Sequence, residues 1–191
     1  METGNSTAGN SCKEYREHIL YTITIINSKA FKCLKSICSA QICMGNNYTN
    51  KCNCNCEFCL RHGRKEGSIY TEDSLWLERE PTRQEALDSF LSRDVCSYRE
   101  IVFCGYGEPT YRIEDILWLV DQLKERFGGQ LPPVRINTNG HANLILGRDV
   151  CPKLKGRIDT VSISLNAQDR ETYDRRCEPD YENGYEAMLS F

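Results

Sequence analysis

Four cysteines crowd into eight residues of this chain, Cys52-Asn53-Cys54-Asn55-Cys56-Glu57-Phe58-Cys59. Thiolates are soft ligands that suit iron–sulfur clusters, zinc and copper(I). Cys52, Cys56 and Cys59 can wind one loop around a single metal centre. Zinc in a structural site wants four ligands, and His62, three residues past Cys59, offers one. A three-thiolate set on an iron–sulfur cluster instead leaves one iron without a protein ligand, where a small molecule can chelate. Spacing alone also admits Cys54, Cys56 and Cys59 as the set. Plain reduced thiols are the simplest alternative, but so dense a run is a redox liability without a function.

The remaining cysteines bear on the compartment. Of 12 in total, Cys33, Cys38 and Cys43 precede the loop, and Cys12, Cys96, Cys104, Cys151 and Cys177 are scattered. A disulfide framework would spread its cysteines through the fold, whereas a metal site concentrates them. Cys33, Cys38 and Cys43 match no familiar ligand spacing and read as ordinary thiols. Met1 to Asn10 lacks the basic start and apolar middle of an export signal. No apolar run approaches the ~20 residues of a spanning helix. The expected location is cytoplasmic. A net charge of −3 gives no electrostatic pointer to nucleic acid or membrane.

Three further segments carry polar groups that could serve a ligand. In Cys104-Gly105-Tyr106-Gly107-Glu108-Pro109-Thr110, glycines allow close backbone approach, and backbone groups with the Glu108 carboxylate can accept from an ammonium. A simple Gly/Pro turn is the alternative. Asn137-Thr138-Asn139-Gly140 offers amides and a hydroxyl to ribose or carboxylate oxygens; an Asn-Gly turn would explain Asn139 and Gly140 equally. Ser162, Ser164 and Asn166 alternate with apolar residues, so they share one strand face. Arg135 reads first as a surface arginine. Arg61, His62, Arg64 and Lys65 read first as a solvated charge run, with an acidic substrate or a reducing partner as the alternative. Trp76 and Trp118 read as packing aromatics.

The elements that position these groups alternate between strand and helix. Tyr21 to Ile26 is β-branched and reads as a strand; Gly45-Asn46-Asn47 reads as a turn, and 60–80 as a loop. Pro81 opens a helix that continues over Glu85 to Leu91. Glu100 to Cys104, Val134 to Thr138 and Thr160 to Leu165 read as strands. Ile113, Ile116, Leu117, Val120, Leu123 and Phe127 give the helical spacing of one long helix stopped by Gly128-Gly129. Asp149 to Leu154 is a helical turn, and a last helix begins near Asn183. Such alternation implies βα units on a parallel sheet, which curl into a barrel or part of one. Chemistry in those folds sits at the C-terminal ends of the strands, where all three polar segments lie.

The Cys52-x3-Cys56-x2-Cys59 spacing, with Phe58 before the last cysteine, resembles the signature of the radical S-adenosylmethionine (SAM) superfamily. The resemblance implies a partial (βα) TIM-like barrel with a [4Fe–4S] cluster on Cys52, Cys56 and Cys59. Its open iron would bind the amino and carboxylate groups of SAM. Reductive cleavage would then give a 5′-deoxyadenosyl radical that abstracts hydrogen from a substrate the resemblance does not name. Gly105, Gly107 and Glu108 are similar to the family's Gly-Gly-Glu element, with Tyr106 in place of one glycine. Asn137, Ser164 and Asn166 take further cofactor contacts by the same likeness, the last two at the ribose. An electron donor such as flavodoxin or ferredoxin is implied as partner.

The likeness extends over about 47–191. Leu75 to Pro81, Val102 to Thr110, Arg135 to Gly140 and Val161 to Ala167 resemble the TatD-associated radical SAM proteins, which implies a functional association with a TatD-type nuclease. Two departures shape the expected organisation. A disordered or loosely packed N-terminus (1–20) precedes the core (21–191), and a cysteine-rich stretch at about 28–46 reads as an insertion within that core. The chain also stops at Phe191 within a helix, as a barrel truncated at its C-terminus would. A truncated, inactive cluster-binding protein and a zinc-stabilised binding module are the rival readings.

Overall fold

A computed structural model describes residues 20–24, 43–59, 61 and 77–191, with the side chains of 20–24 and Cys43 left out. The expectations for residues 1–19, for 28–42 with Cys33 and Cys38, and for His62, Arg64, Lys65 and Trp76 lie outside the described residues.

Five parallel strands form one sheet in the order β1-β5-β4-β3-β2. They are β1 (Leu20–Thr24), β2 (Cys43–Asn46), β3 (Glu100–Phe103), β4 (Val134–Thr138) and β5 (Thr160–Ser164). This is the α/β arrangement of a partial barrel. Gly45 and Asn46, expected in a turn, instead pair with Val102 and Phe103. Ladder pairing with β3 overrides their weak strand preference. The strand entering the cysteine loop is therefore β2, inside the stretch expected as an insertion. β1, earlier in sequence, pairs with β5 at the opposite edge.

Helix α1 (Arg83–Leu91) starts one step later than Pro81 suggests. Thr82 is its N-cap, closed by a capping box with Glu85. Phe90 of α1 stacks on Phe103, with ring centroids 6.3 Å apart. Helix α2 (Ile113–Phe127) buries Ile113, Ile116, Leu117, Leu119, Val120 and Leu123, and Gly128 ends it at φ 52°. Short helices α3 (Ala142–Leu146) and α4 (Cys151–Leu154) follow β4. After β5 come α5 (Arg170–Cys177) and α6 (Gly184–Ser190). Sequence reading missed α3 and α5. No described helix is long and apolar enough to cross a membrane.

Register sorts the strand residues into two sets. Ile101 pairs with Val134, Phe103 with Ile136 and Ile136 with Val161, so these apolar side chains share one face and enter the core. Arg135 and Asn137 share the other face with Thr160 and Ser162, their partners on β5.

Candidate metal centre

The cysteine loop is held between two backbone clamps. On one flank the Glu108 N–H donates to Lys51 O at 2.8 Å. Gly107 lies so close that a Cβ there would meet Thr49 O at 2.1 Å, which explains the glycine. On the other flank the loop runs antiparallel to the end of α5 and the residues after it. Asn55 N donates to Cys177 O (3.0 Å), Glu57 N to Arg176 O (2.9 Å) and Asp180 N to Asn53 O (2.8 Å), and Cys54 bridges Pro179. Arg176 Nε donates to Glu57 Oε1 at 2.7 Å, and Asn55 Nδ2 to Glu178 Oε2 at 2.6 Å.

A buried polar hub lies beneath the loop. Asn53 and His141 are almost wholly shielded from solvent. Asn53 Nδ2 donates to His141 Nδ1 at 2.7 Å, and His141 Nε2 meets Gly184 O at 2.9 Å and the Tyr173 hydroxyl at 3.1 Å. The Asn53 donor and the Gly184 acceptor assign the neutral tautomer protonated on Nε2. Burial, the largest influence, lowers the imidazole pKa in the same sense. Asn139 Nδ2 donates to Asn53 Oδ1 at 2.9 Å and reaches Cys54 Sγ at 3.5 Å.

These contacts separate the four loop cysteines. Cys54 is buried and faces the hub, within 3.8 Å of His141 Nδ1. Hydrogen bonding shared with Cys52 and Cys56, ahead of burial, drives its pKa far up. Cys52, Cys56 and Cys59 are each part-exposed. Hydrogen bonding with Cys54 pulls the Cys52 thiol down, and hydrogen bonding with Cys177, then Cys54, brings Cys56 down to about 3. Cys177 is buried, donates to Cys56 and takes a hydrogen bond from Asn166. Among the described residues no three His, Cys, Asp or Glu side chains stand close enough to hold a single metal ion. A cubane asks less convergence of its ligands, because each thiolate takes a different corner iron. The Cys59 N–H donates to Cys56 O at 2.9 Å, so one tight turn carries both residues.

The expected cofactor-binding residues line the same end of the sheet. Glu108 is fully buried. Oε1 accepts from Thr110 N (3.1 Å), Thr110 Oγ1 (2.7 Å) and Thr138 Oγ1 (2.7 Å), and Oε2 from Asn139 N (2.7 Å). Burial outweighs these donors and raises its pKa. With its side chain so occupied, Glu108 ties the β3–α2 turn to the end of β4. An incoming ammonium would meet the backbone of this turn. Gly105 is exposed, in contact distance of Asn47. Asn137 and Asn166 are half-buried, and each has an Oδ1 that is fully buried without a hydrogen-bond partner. Ser164 closes β5 between them in sequence, part-exposed.

Two of the singled-out residues sit elsewhere, and a third belongs to the loop. Arg135 forms an ion pair with Glu100 at 2.8 Å, half-buried at the opposite, N-terminal end of the strands. Trp118 packs on the core with Arg83 over its ring at 5.4 Å. Arg61 is no solvated charge: Nη2 donates to Cys54 O at 2.6 Å and Nη1 to Asn50 O at 3.4 Å. Sequence reading also missed His141 and Cys177. His141 follows the Asn139-Gly140 signal directly, but nothing local to Cys177 points to the loop.

No curated protein matches the chain. The family model described as the radical SAM superfamily matches residues 46–189, from the end of β2 to the last turn of α6. That span takes in the cysteine loop, the β3–α2 turn and the ends of β4 and β5, and the chain belongs to the radical SAM superfamily.

Proposed function

We propose that the protein is a radical SAM enzyme whose [4Fe–4S] cluster rests on Cys52, Cys56 and Cys59. The observation that carries the reading is the pair of buried, unpartnered amide oxygens at Asn137 and Asn166, beside a loop with three part-exposed thiols. A buried acceptor left unpaired costs about 1–3 kcal/mol. Two at the same end of one sheet are the preparation a polar ligand would need.

Cluster and cofactor together supply one-electron cleavage of SAM into methionine and the 5′-deoxyadenosyl radical. The residues of the chain bind and orient. The backbone of Gly105 and Gly107 receives the methionine end, with Glu108 fixing that turn. Asn137, Ser164 and Asn166 receive donors of the nucleoside. Cys54 is a structural thiol, turned into the hub. The electron comes from a low-potential donor such as flavodoxin or ferredoxin. The segments Leu75 to Pro81, Val102 to Thr110, Arg135 to Gly140 and Val161 to Ala167 support placement in the TatD-associated branch, with a TatD-type nuclease as functional partner.

Anaerobic reconstitution with iron and sulfide tests this. The protein should take up about four irons and four sulfides, turn brown, and release 5′-deoxyadenosine from SAM under dithionite. Uptake of one zinc with no colour, or cluster without nucleoside release, would overturn the reading. Replacing Cys54 by Ser should leave iron content unchanged, whereas replacing Cys56 by Ser should abolish it.

A further inference from the structure

We propose that Arg61 is the positioning residue that sets the electron affinity of this site. The inference rests on the cluster assignment above. Its guanidinium spans the cysteine loop from inside, bonded to Asn50 O at 3.4 Å and Cys54 O at 2.6 Å, on either side of Cys52. Cys52 lies between its two carbonyl partners, and Cys59 is two residues before Arg61 in the same loop. The Nε–H is buried without a partner, one donor left unspent beside the thiols.

Among the described residues, Arg176 and Lys51, the other cations of the loop and its flank, are engaged elsewhere. Arg176 is paired with Glu57 at 2.7 Å, and Lys51 lies over the Tyr111 ring at 4.3 Å. The nearby Glu108 carboxyl is held by its four donors. Among the described residues Arg61 is thus the cation that holds the loop on both sides of Cys52.

The physical consequence follows from charge. Reduction adds one electron, from an external donor and with no proton, to a cluster already ringed by thiolates. A fixed positive charge and hydrogen bonds to sulfur favour the more negative, reduced state, and both are recognised levers on cluster potentials. Arginine suits the task because it stays charged and its rigid fork reaches two carbonyls while keeping a donor for sulfur. A lysine can match the charge but not the fork.

The test is an anaerobic redox titration of the reconstituted full chain, read by the paramagnetic signal of the reduced cluster. Wild-type, Arg61→Gln and Arg61→Lys proteins are compared for iron content and midpoint. At a fixed potential the reduced-to-oxidised ratio should fall at least tenfold in Arg61→Gln, a shift of 59 mV to the negative side. Arg61→Lys should stay within threefold of wild type. Loss of iron from Arg61→Gln alone would overturn the proposal, because Arg61 would then retain the cluster and not tune it. An unchanged midpoint in Arg61→Gln would overturn the proposal, as would an equal fall in both variants or loss of iron from both. Wild-type protein that takes up no cluster would instead overturn the functional reading itself.

Discussion

On one face of the sheet, Ile101, Phe103, Val134, Ile136, Val161 and Ile163 pack into the core, each at most 8% exposed. On the other, Arg135, Asn137 and Ser162 occupy the neighbouring positions of the same strands. The backbone is shared, so the difference lies wholly in the alternate side chains. The apolar face is dry, stacked against α1 through Phe90, and its side chains need no polar partner. The polar face carries a half-buried ion pair at one end and an unpaired amide oxygen nearer the other. Stability is built on the first face, and the capacity to bind on the second. The cost of that capacity is borne in the absence of ligand, because an acceptor kept from water and left unpaired is unfavourable until something donates to it.

The largest expected break in this comparison is Phe103→Ala. It removes a ring from the dry face between Phe90 and Tyr48, and should lower the unfolding free energy by about 3–5 kcal/mol in urea denaturation. Glu108→Gln comes next, at the junction of the two regimes. The amide replaces one carboxylate oxygen and turns a donor toward Thr138 or Asn139. The loss should be about 1–3 kcal/mol by the same measurement. A loss no larger than that of a surface variant would show that the four hydrogen bonds do not hold the turn.

Asn137→Ala and Asn166→Ala sharpen the contrast. Each discards an unpaired amide oxygen, so stability without ligand should hold or rise slightly for Asn137→Ala and fall slightly for Asn166→Ala, which also loses its bond to Cys177, while SAM binding weakens by about tenfold in both, one hydrogen bond's worth. Calorimetry on reconstituted protein checks the second half. If both variants bind SAM like wild type, the polar face serves something else.

The smallest effects belong to the rim of the dry side. Thr82→Ala should cost about 1 kcal/mol by removing the α1 cap. Glu85, the partner of that cap, is held at about 2 by Arg79 and Thr82, against 4.5 for a free carboxyl. Folding therefore lowers this pKa. The contribution is complete above about 4.5 and is lost as pH falls toward about 2. Glu85→Gln should flatten that part of the acid-stability curve.

The sequence was most legible where neighbours in the chain decide the outcome. Helix α2 follows from apolar residues one turn apart and a glycine stop, and β4 from alternation; both appear with the bounds read for them. The cysteine loop is local in the same way. Helix α5 was hidden because only Tyr173 and Cys177 of its residues are buried, too few to show a period. Its one usable signal was Asp169, which caps Thr172 N at 2.8 Å. β2 was masked by Gly45 and Asn46, whose pairing with β3 comes from far along the chain. Arg61, His141 and Cys177 were opaque for the same reason. What they do depends on partners that only the folded chain brings near.

The place of β1 has a consequence for how the molecule comes into being. Its partner β5 follows far along the sequence, with Leu20 opposite Thr160 and Thr24 opposite Ser164. A ribosome delivers β1 first and β5 long after, so the early strand must wait without its mate while the intervening strands and helices are made. Ends this distant close slowly, and exposed strand edges invite the wrong neighbour in the meantime. The protein's yield in a cell should therefore respond to chaperones and to translation speed more than its modest length would suggest.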